Sequence, residues 1–428
     1  MASTLPLCAC LVLVFFFDKS ISQTPRLLGK ISAKHPGFLS LFENDPRNPQ
    51  PASRYTLLAA SFNGIPFSKD YVYGVPKVGT ILNNLAGASA KILTESVTWP
   101  NDISGVPEYV FGPNMVAIPD GFLVPFKKKG SISILNITSD PAQGPYKISD
   151  DDGKTEWFYH KVIWKDMDKD GLFDAVTCRA TGKELGGFDG QLVWFKNPGA
   201  PFFQTTWVPH VIASGPDVYL TPAALPIPDG ELDTILIPGY FFRRLSVYWI
   251  EPNGTWTNPD VVKSRVIDDN FEIGPFFDVQ VADVNGDGKY DLLATSSNDR
   301  NGSLIVYELP DDFRTGQFKK HVIASGFKPK GFGRGKSSPG SAYVFPSATN
   351  NTSRPSIFLS GDDNGKAYIL TPTSSEPNSW DYQMTTFLEV SSGPVGSIVS
   401  ADVDGDNYKE VFVSAYEKGE INVFTLKP

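Results

Sequence analysis

Cysteine is scarce in this 428-residue chain: there are three, and Cys8 and Cys10 lie in an apolar stretch at the N-terminus. Without that stretch Cys178 stands alone, so no intramolecular disulfide can form. Cys178 falls in a strand-like segment and is expected to be a small buried core residue, not a reactive thiol. Charged residues reach only 20%, which excludes a coiled coil or a disordered chain. The net charge of −9 argues against nucleic acid as the main partner. After the N-terminus no apolar run approaches the roughly 20 residues of a membrane-spanning helix, so no span is expected after removal of the leader.

Catalytic signatures are scarce too. There is no Gly-x-Ser-x-Gly elbow and no His-Glu-x-x-His. The segment Gly331-Phe-Gly-Arg-Gly-Lys-Ser337 is one residue short of a phosphate-binding loop, and no helical pattern follows it. The four histidines are His35, His160, His210 and His321, and the last two open identical His-Val-Ile-Ala-Ser-Gly segments, which suggests a role in a repeated structure. A pair of carboxylates brought together by the fold remains the one catalytic option open, suited to glycan cleavage.

Aromatics at 13%, with 38 Gly and 35 Pro, describe an all-β chain rich in turns. The run from Leu5 to Phe17, followed by Ser20-Ile21-Ser22, reads as a signal peptide over residues 1–22, although it lacks a basic start. Secretion to the extracellular space follows. Asn136, Asn253, Asn301, Asn350 and Asn351 open glycosylation triplets near turn signals, in keeping with that address.

The strongest signal is a spaced set of oxygen-bearing side chains. Asp283, Asn285, Asp287 and Asp291 occupy positions 1, 3, 5 and 9 of a loop with Gly288 at position 6. The pattern recurs as Asp166, Asp168, Asp170 and Asp174, and as Asp402, Asp404, Asp406 and Glu410. A tight loop of this kind folds its oxygens around a hard cation, with the backbone carbonyl of position 7 (Leu172, Lys289 and Tyr408) as a further ligand. Ca²⁺ in a structural role is expected over Mg²⁺, because flexible oxygen ligands suit the larger ion. An EF-hand is excluded: position 12 is Thr177, Ala294 or Val413 instead of Glu, and each loop runs into a strand.

The loops also mark a period. Asp174 to Asp291 is 117 residues and Asp291 to Glu410 is 119, each about twice 58. A degenerate unit at Ile227-Pro-Asp229-Gly230 to Asp233 fills the first gap, and one at Asn350 to Ser360 the second. Upstream, Ile118-Pro-Asp120-Gly121 repeats the turn at 227, and Tyr55-Thr-Leu-Leu-Ala-Ala-Ser61 echoes Tyr290-Asp-Leu-Leu-Ala-Thr-Ser296. Seven units of about four short strands predict a seven-bladed β-propeller with cation-binding hairpin loops. The last unit runs out of chain after three strands. Residues 23–50, through the apolar Leu27–Ser32, are expected to supply its fourth, with the propeller proper over 51–428.

The acidic loops at 166, 283 and 402, in repeats of this length, resemble the FG-GAP/VCBS repeats, of which integrin α-subunit propellers are members. The segments Trp194-Phe-Lys-Asn-Pro-Gly199 and His210-Val-Ile look closer to the VCBS type. The repeated Phe-Gly and Gly-Ala-Pro pairs of the first type are missing, and Asn407 and Glu410 depart from Gly and Asp in the third loop. The resemblance implies a Ca²⁺-stabilised, monomeric propeller that binds an extracellular protein or glycan as an adhesion, scaffold or matrix component. The alternative it leaves open is a carbohydrate-active propeller, either a lectin or a lyase-, hydrolase- or dehydratase-like enzyme. Tyr240-Phe241-Phe242 is a candidate for a sugar-binding rim, and the basic loop 326–336 for contact with an acidic partner.

Overall fold

The computed structural model describes residues 24–149, 153–252, 254–331, 335–345 and 354–428. The expected signal peptide, Asn253, Asn350 and Asn351 therefore lie outside the described residues. Among the described residues, twenty-eight strands form seven antiparallel sheets of four, each sheet taken in chain order except the last. These are the blades of a propeller: I spans 36–94, II 104–147, III 158–214, IV 221–268, V 276–327, VI 342–389 and VII 395–425.

The burial of each strand follows its place in the blade. Second strands lie between neighbouring blades on both faces, so their sequences are almost continuously apolar rather than alternating. Tyr55–Ser61, Ser356–Ser360 and Glu410–Ala415 are examples, with nearly every residue buried. Fourth strands form the outer edge, and Val208–Ser214 is largely solvent-accessible. First strands meet around the axis and are stitched to one another. The hydroxyl of Thr221 donates to the Val279 carbonyl at 2.9 Å, and the Tyr343 hydroxyl to that of Ser400 at 2.9 Å. The Asp278 carboxylate accepts the Ala342 N–H at 3.2 Å.

The core is a set of interfaces between blades. Ala117, Ile132 and Ile134 of blade II pack with Ala175, Val193 and Phe195 of blade III. Leu57, Ala59 and Tyr73 of blade I pack with Phe412, Ile421 and Val423 of blade VII. Among these interface side chains, a Leu, Ile, Val or Phe contributes about 1.5–3 kcal/mol when fully buried. Cys178 is one of them, between blades III and IV, and burial pushes its thiol well above the ordinary range.

Blade VII is completed by Arg26–Ser32, which pairs antiparallel with Glu420–Thr425. Ile31 lies opposite Ile421, both fully buried, and Lys30 pairs with Glu420 at 2.8 Å. Residues 23–50 hold a second strand as well: Pro36–Glu43 is the first of blade I, so the propeller starts before residue 51. That strand has no acidic loop after it to betray its place.

One further expectation is corrected. Ile227-Pro-Asp229-Gly230 forms the turn between the first and second strands of blade IV. Ile118-Pro-Asp120-Gly121 instead ends the second strand of blade II and enters the loop on the opposite rim. Asp-Gly serves a tight turn on either side of a blade, so matching residues mark matching chemistry and not matching positions.

Candidate metal centres

All three acidic loops join the first and second strands of their blades, III, V and VII, and therefore lie on one rim. Their folding shares one set of hydrogen bonds. The position-1 carboxylate accepts the N–H groups of positions 5 and 6: Asp166 from Asp170 and Gly171, Asp283 from Asp287 and Gly288, Asp402 from Asp406 and Asn407, all at 2.9–3.2 Å. The position-5 carboxylate accepts the N–H of position 7, from Leu172, Lys289 and Tyr408, at 2.8–2.9 Å.

To reach this geometry the chain turns left-handed at positions 4 and 6. The φ values at position 6 are 88° at Gly171, 87° at Gly288 and 71° at Asn407. Asn tolerates that region better than most side chains, which is why the third loop keeps the turn without a glycine.

Position 2 is apolar in every loop. Met167, Val284 and Val403 are fully buried, each in the core cluster shared with the following blade. Position 9 is also buried: Asp174 is 0%, Asp291 2% and Glu410 1% exposed. Each carboxylate reaches back to accept the position-2 N–H, from Met167, Val284 and Val403, at 2.9–3.2 Å. Burial pushes Asp174 up to about 6, Asp291 to about 7 and Glu410 to about 7, and the neighbouring carboxylates of each loop push in the same direction.

Asp166, Asp168 and Asp174 each bring one oxygen within 4.8 Å of the others, and Asp402, Asp404 and Glu410 do the same. These two clusters can hold a metal ion. In the second loop Asn285 substitutes an amide oxygen for one carboxylate. Its Oδ1 accepts the Asp287 N–H at 3.0 Å and its amide nitrogen donates to Asp287 at 3.2 Å. Oxygen-only donors crowded around a buried carboxylate match a hard divalent cation, since unpartnered carboxylates at that spacing repel.

The sequence reading missed the residues that tune these loops. The Lys196 ammonium contacts Asp168, and Asp170 at 2.9 Å, while Lys427 contacts Asp406 at 2.9 Å. In the second loop Lys289 turns away to Asp311. Two loops thus carry four carboxylates facing one ammonium, and the middle loop three with none in contact, so in each loop the carboxylates outnumber the ammonium groups by three. Asn197 donates to Asp174 and Phe173, and the Thr425 hydroxyl to Glu410. The signal for Lys196 and Asn197 was the Trp-Phe-Lys-Asn-Pro-Gly segment itself, whose end lies beside the loop.

The remaining singled-out residues have structural partners. His210 and His321 hold equivalent places on the fourth strands of blades III and V. They stack on Trp194 and Trp380 with centroids 4.4 and 4.2 Å apart. In the basic loop, Lys330 pairs with Glu389 at 3.1 Å and Lys336 with Asp363 at 3.7 Å. Asn136 is half-buried at the end of a strand, and Asn301 is exposed at a turn.

No helix among the described residues is long and apolar enough to cross a membrane. No family model and no curated protein matches the chain. Solved structures align with it only distantly. A glucose dehydrogenase crystal structure aligns at 10% identity and TM-score 0.42, covering 78% of this chain and 98% of its own. The Nup133 β-propeller domain of Vanderwaltozyma polyspora aligns at 9% identity and TM-score 0.40, covering 90% and 99%. Fructan 1-exohydrolase IIa of Cichorium intybus aligns at 12% identity and TM-score 0.32, covering 77% and 56%.

Proposed function

We propose that this chain is a secreted, Ca²⁺-stabilised propeller of the FG-GAP/VCBS kind that binds an extracellular protein or glycan. The observation that supports it best is the threefold repetition of one acidic hairpin, with its closing acid buried and its position-2 side chain plugged into the next blade. In this reading Asp166, Asp168, Asp170 and Asp174, with their counterparts at 283–291 and 402–410, hold Ca²⁺, and the carbonyls of Leu172, Lys289 and Tyr408 complete the shell. The ions are structural, because the loops grip the interfaces between blades. The opposite rim is left for ligands. It carries the loops between second and third strands, and it exposes Ile65, Phe67, Phe126 and Leu185 at their tips.

The test has two arms. Calorimetric titration with Ca²⁺ should show uptake at up to three sites, and EDTA should lower the melting temperature. Binding to a glycan array and to extracellular-matrix proteins should then be measured on the Ca²⁺-loaded protein. No Ca²⁺ uptake, or uptake without any change in melting temperature, removes the structural role.

A second reading, a carbohydrate-active enzyme, draws on the axis. Asp102 and Asp278 both lie close enough to Lys161 to feel its charge, and burial raises both, Asp102 to about 6. Replacing each by Asn in a polysaccharide-cleavage assay separates the two readings.

A further inference from the structure

On the ligand rim, where blades III and IV meet, lies a cavity of about 470 Å³ whose chemistry is unlike that of the loops around it. Its walls include Trp157, Phe188 and Phe242 on one hand and Lys183, Asp189 and Gln191 on the other. The volume falls within the roughly 300–1,000 Å³ of small-molecule sites.

The aromatic wall is held in place from behind. Phe188 stacks on Phe241 with centroids 4.0 Å apart and planes 26° apart. The Arg179 guanidinium sits 4.4 Å over the Trp157 ring and is itself fixed by two hydrogen bonds to the Gln191 amide oxygen, at 3.0 and 2.7 Å. Because Arg179 takes that oxygen, Gln191 is left with its NH₂ to donate. Lys183 and Asp189 face each other at 2.8 Å at the edge, both about half-exposed.

This combination selects a ligand class. Flat aromatic faces accept the C–H face of a pyranose, while a carboxylate, an ammonium and an amide NH₂ at the edge match vicinal hydroxyls. A purely apolar ligand would strip water from Lys183 and Asp189 without replacing it. An anion would meet the Asp189 carboxylate at the edge, where Lys183 already has that partner; Arg179 is tied to Gln191 under Trp157, and the Arg244 guanidinium lies over the Phe242 ring at 5.8 Å. We infer that this cavity is a binding site for a neutral saccharide, with Phe188 and Phe242 as the stacking wall, the buried Trp157 as its floor, and Asp189, Lys183 and Gln191 as the hydroxyl partners. The inference rests on the reading of the chain as a binding propeller and gives that reading a ligand class and an address.

The experiment uses the full secreted chain with Ca²⁺ present. An array of neutral, sulfated and sialylated oligosaccharides identifies a binder, and calorimetry with the best soluble oligosaccharide gives Kd. Phe242→Ala and Asp189→Asn alter exposed side chains, and each should weaken Kd at least tenfold with an unchanged melting temperature. Val322→Ala, on the exposed outer strand of blade V and away from this rim, should leave Kd unchanged. The inference is overturned if only sulfated or sialylated glycans bind, or if the Phe242 and Asp189 variants bind like the parent. It is also overturned if no glycan binds while a matrix protein does, an outcome that leaves the binding-propeller reading standing. Binding of neither kind would remove both.

Discussion

The rim opposite the acidic loops depends on an ion pair that solvent scarcely reaches, and its removal should be costly. Lys127 and Asp70 have side chains 3% and 2% exposed. The ammonium donates to both Asp70 oxygens at 2.7 Å, to the Asn63 carbonyl at 2.9 Å and to the Ser68 hydroxyl at 3.1 Å. Asp70 also accepts the Asn63 and Trp99 N–H groups. The pair welds the loops of blades I and II that present Phe67 and Phe126, two rings 4.2 Å apart and 78% and 71% exposed. Lys127→Met keeps the volume but leaves a buried carboxylate with only two backbone donors, a loss of about 3–5 kcal/mol. At roughly 2.1 cal/mol/K per residue of unfolding entropy, 4 kcal/mol lowers the melting temperature of a chain this long by about 5 °C. The double variant Lys127→Met/Asp70→Asn removes both charges and should recover part of that loss, with a coupling of about 2–3 kcal/mol. Denaturant unfolding of the parent, both single variants and the double closes the cycle. A loss under about 1 kcal/mol for Lys127→Met, or strict additivity, would refute the reasoning.

Three further outcomes follow from the same structure. Asp120 accepts the Thr98 N–H and both donors of Ser131, yet burial pushes it up to about 7. Since an unfolded Asp titrates near 4, the folded state holds the extra proton between those values. Stability of the parent relative to Asp120→Asn should therefore be greatest near pH 4 and fall as pH rises to about 7, which denaturant midpoints across that range will show; a difference that grows with pH contradicts it. Asp291→Asn removes the buried closing acid of the middle hairpin, and differential scanning calorimetry with and without EDTA should show a smaller Ca²⁺-induced rise in melting temperature than the parent's. Ile31→Ala truncates a fully buried side chain of the closing strand and should cost about 2–4 kcal/mol by denaturant unfolding; a loss below 1 kcal/mol would mean that Arg26–Ser32 contributes little to closure.

The sequence made legible whatever is repeated. The acidic loops carry a spacing, the second strands carry unbroken apolar runs, and both recur, so blade number and hairpin position follow from the order of residues. Residues that act once left no such trace. Lys127 reads as the start of an exposed Lys-Lys-Lys run, and only its partner, 57 residues away, explains why it is buried. The cavity wall was half visible in Tyr240-Phe241-Phe242, but Trp157 and Gln191 come from another blade, and no local pattern brings them together. Pro36–Glu43 is hidden because its partner strand Tyr55–Ser61 carries a repeated pattern, while its own sequence matches no other unit and no acidic loop follows it.

Hairpin and blade interface are one mechanical unit, and this decides what a bound cation can do. The acid at position 9 begins the second strand, and its carboxylate accepts the N–H of position 2, whose side chain sits in the core shared with the next blade. Drawing the loop oxygens inward therefore fixes the start of a core strand and the seating of Met167, Val284 or Val403 together. The effect falls on the junctions III–IV, V–VI and VII–I. The third of these is where the ring closes, with Ile31 and Val403 in one cluster. Cation release should accordingly loosen that junction first, exposing amides of Arg26–Ser32 and Glu420–Thr425 to hydrogen exchange before those of blade II, which has no acidic hairpin on either side of its own first turn.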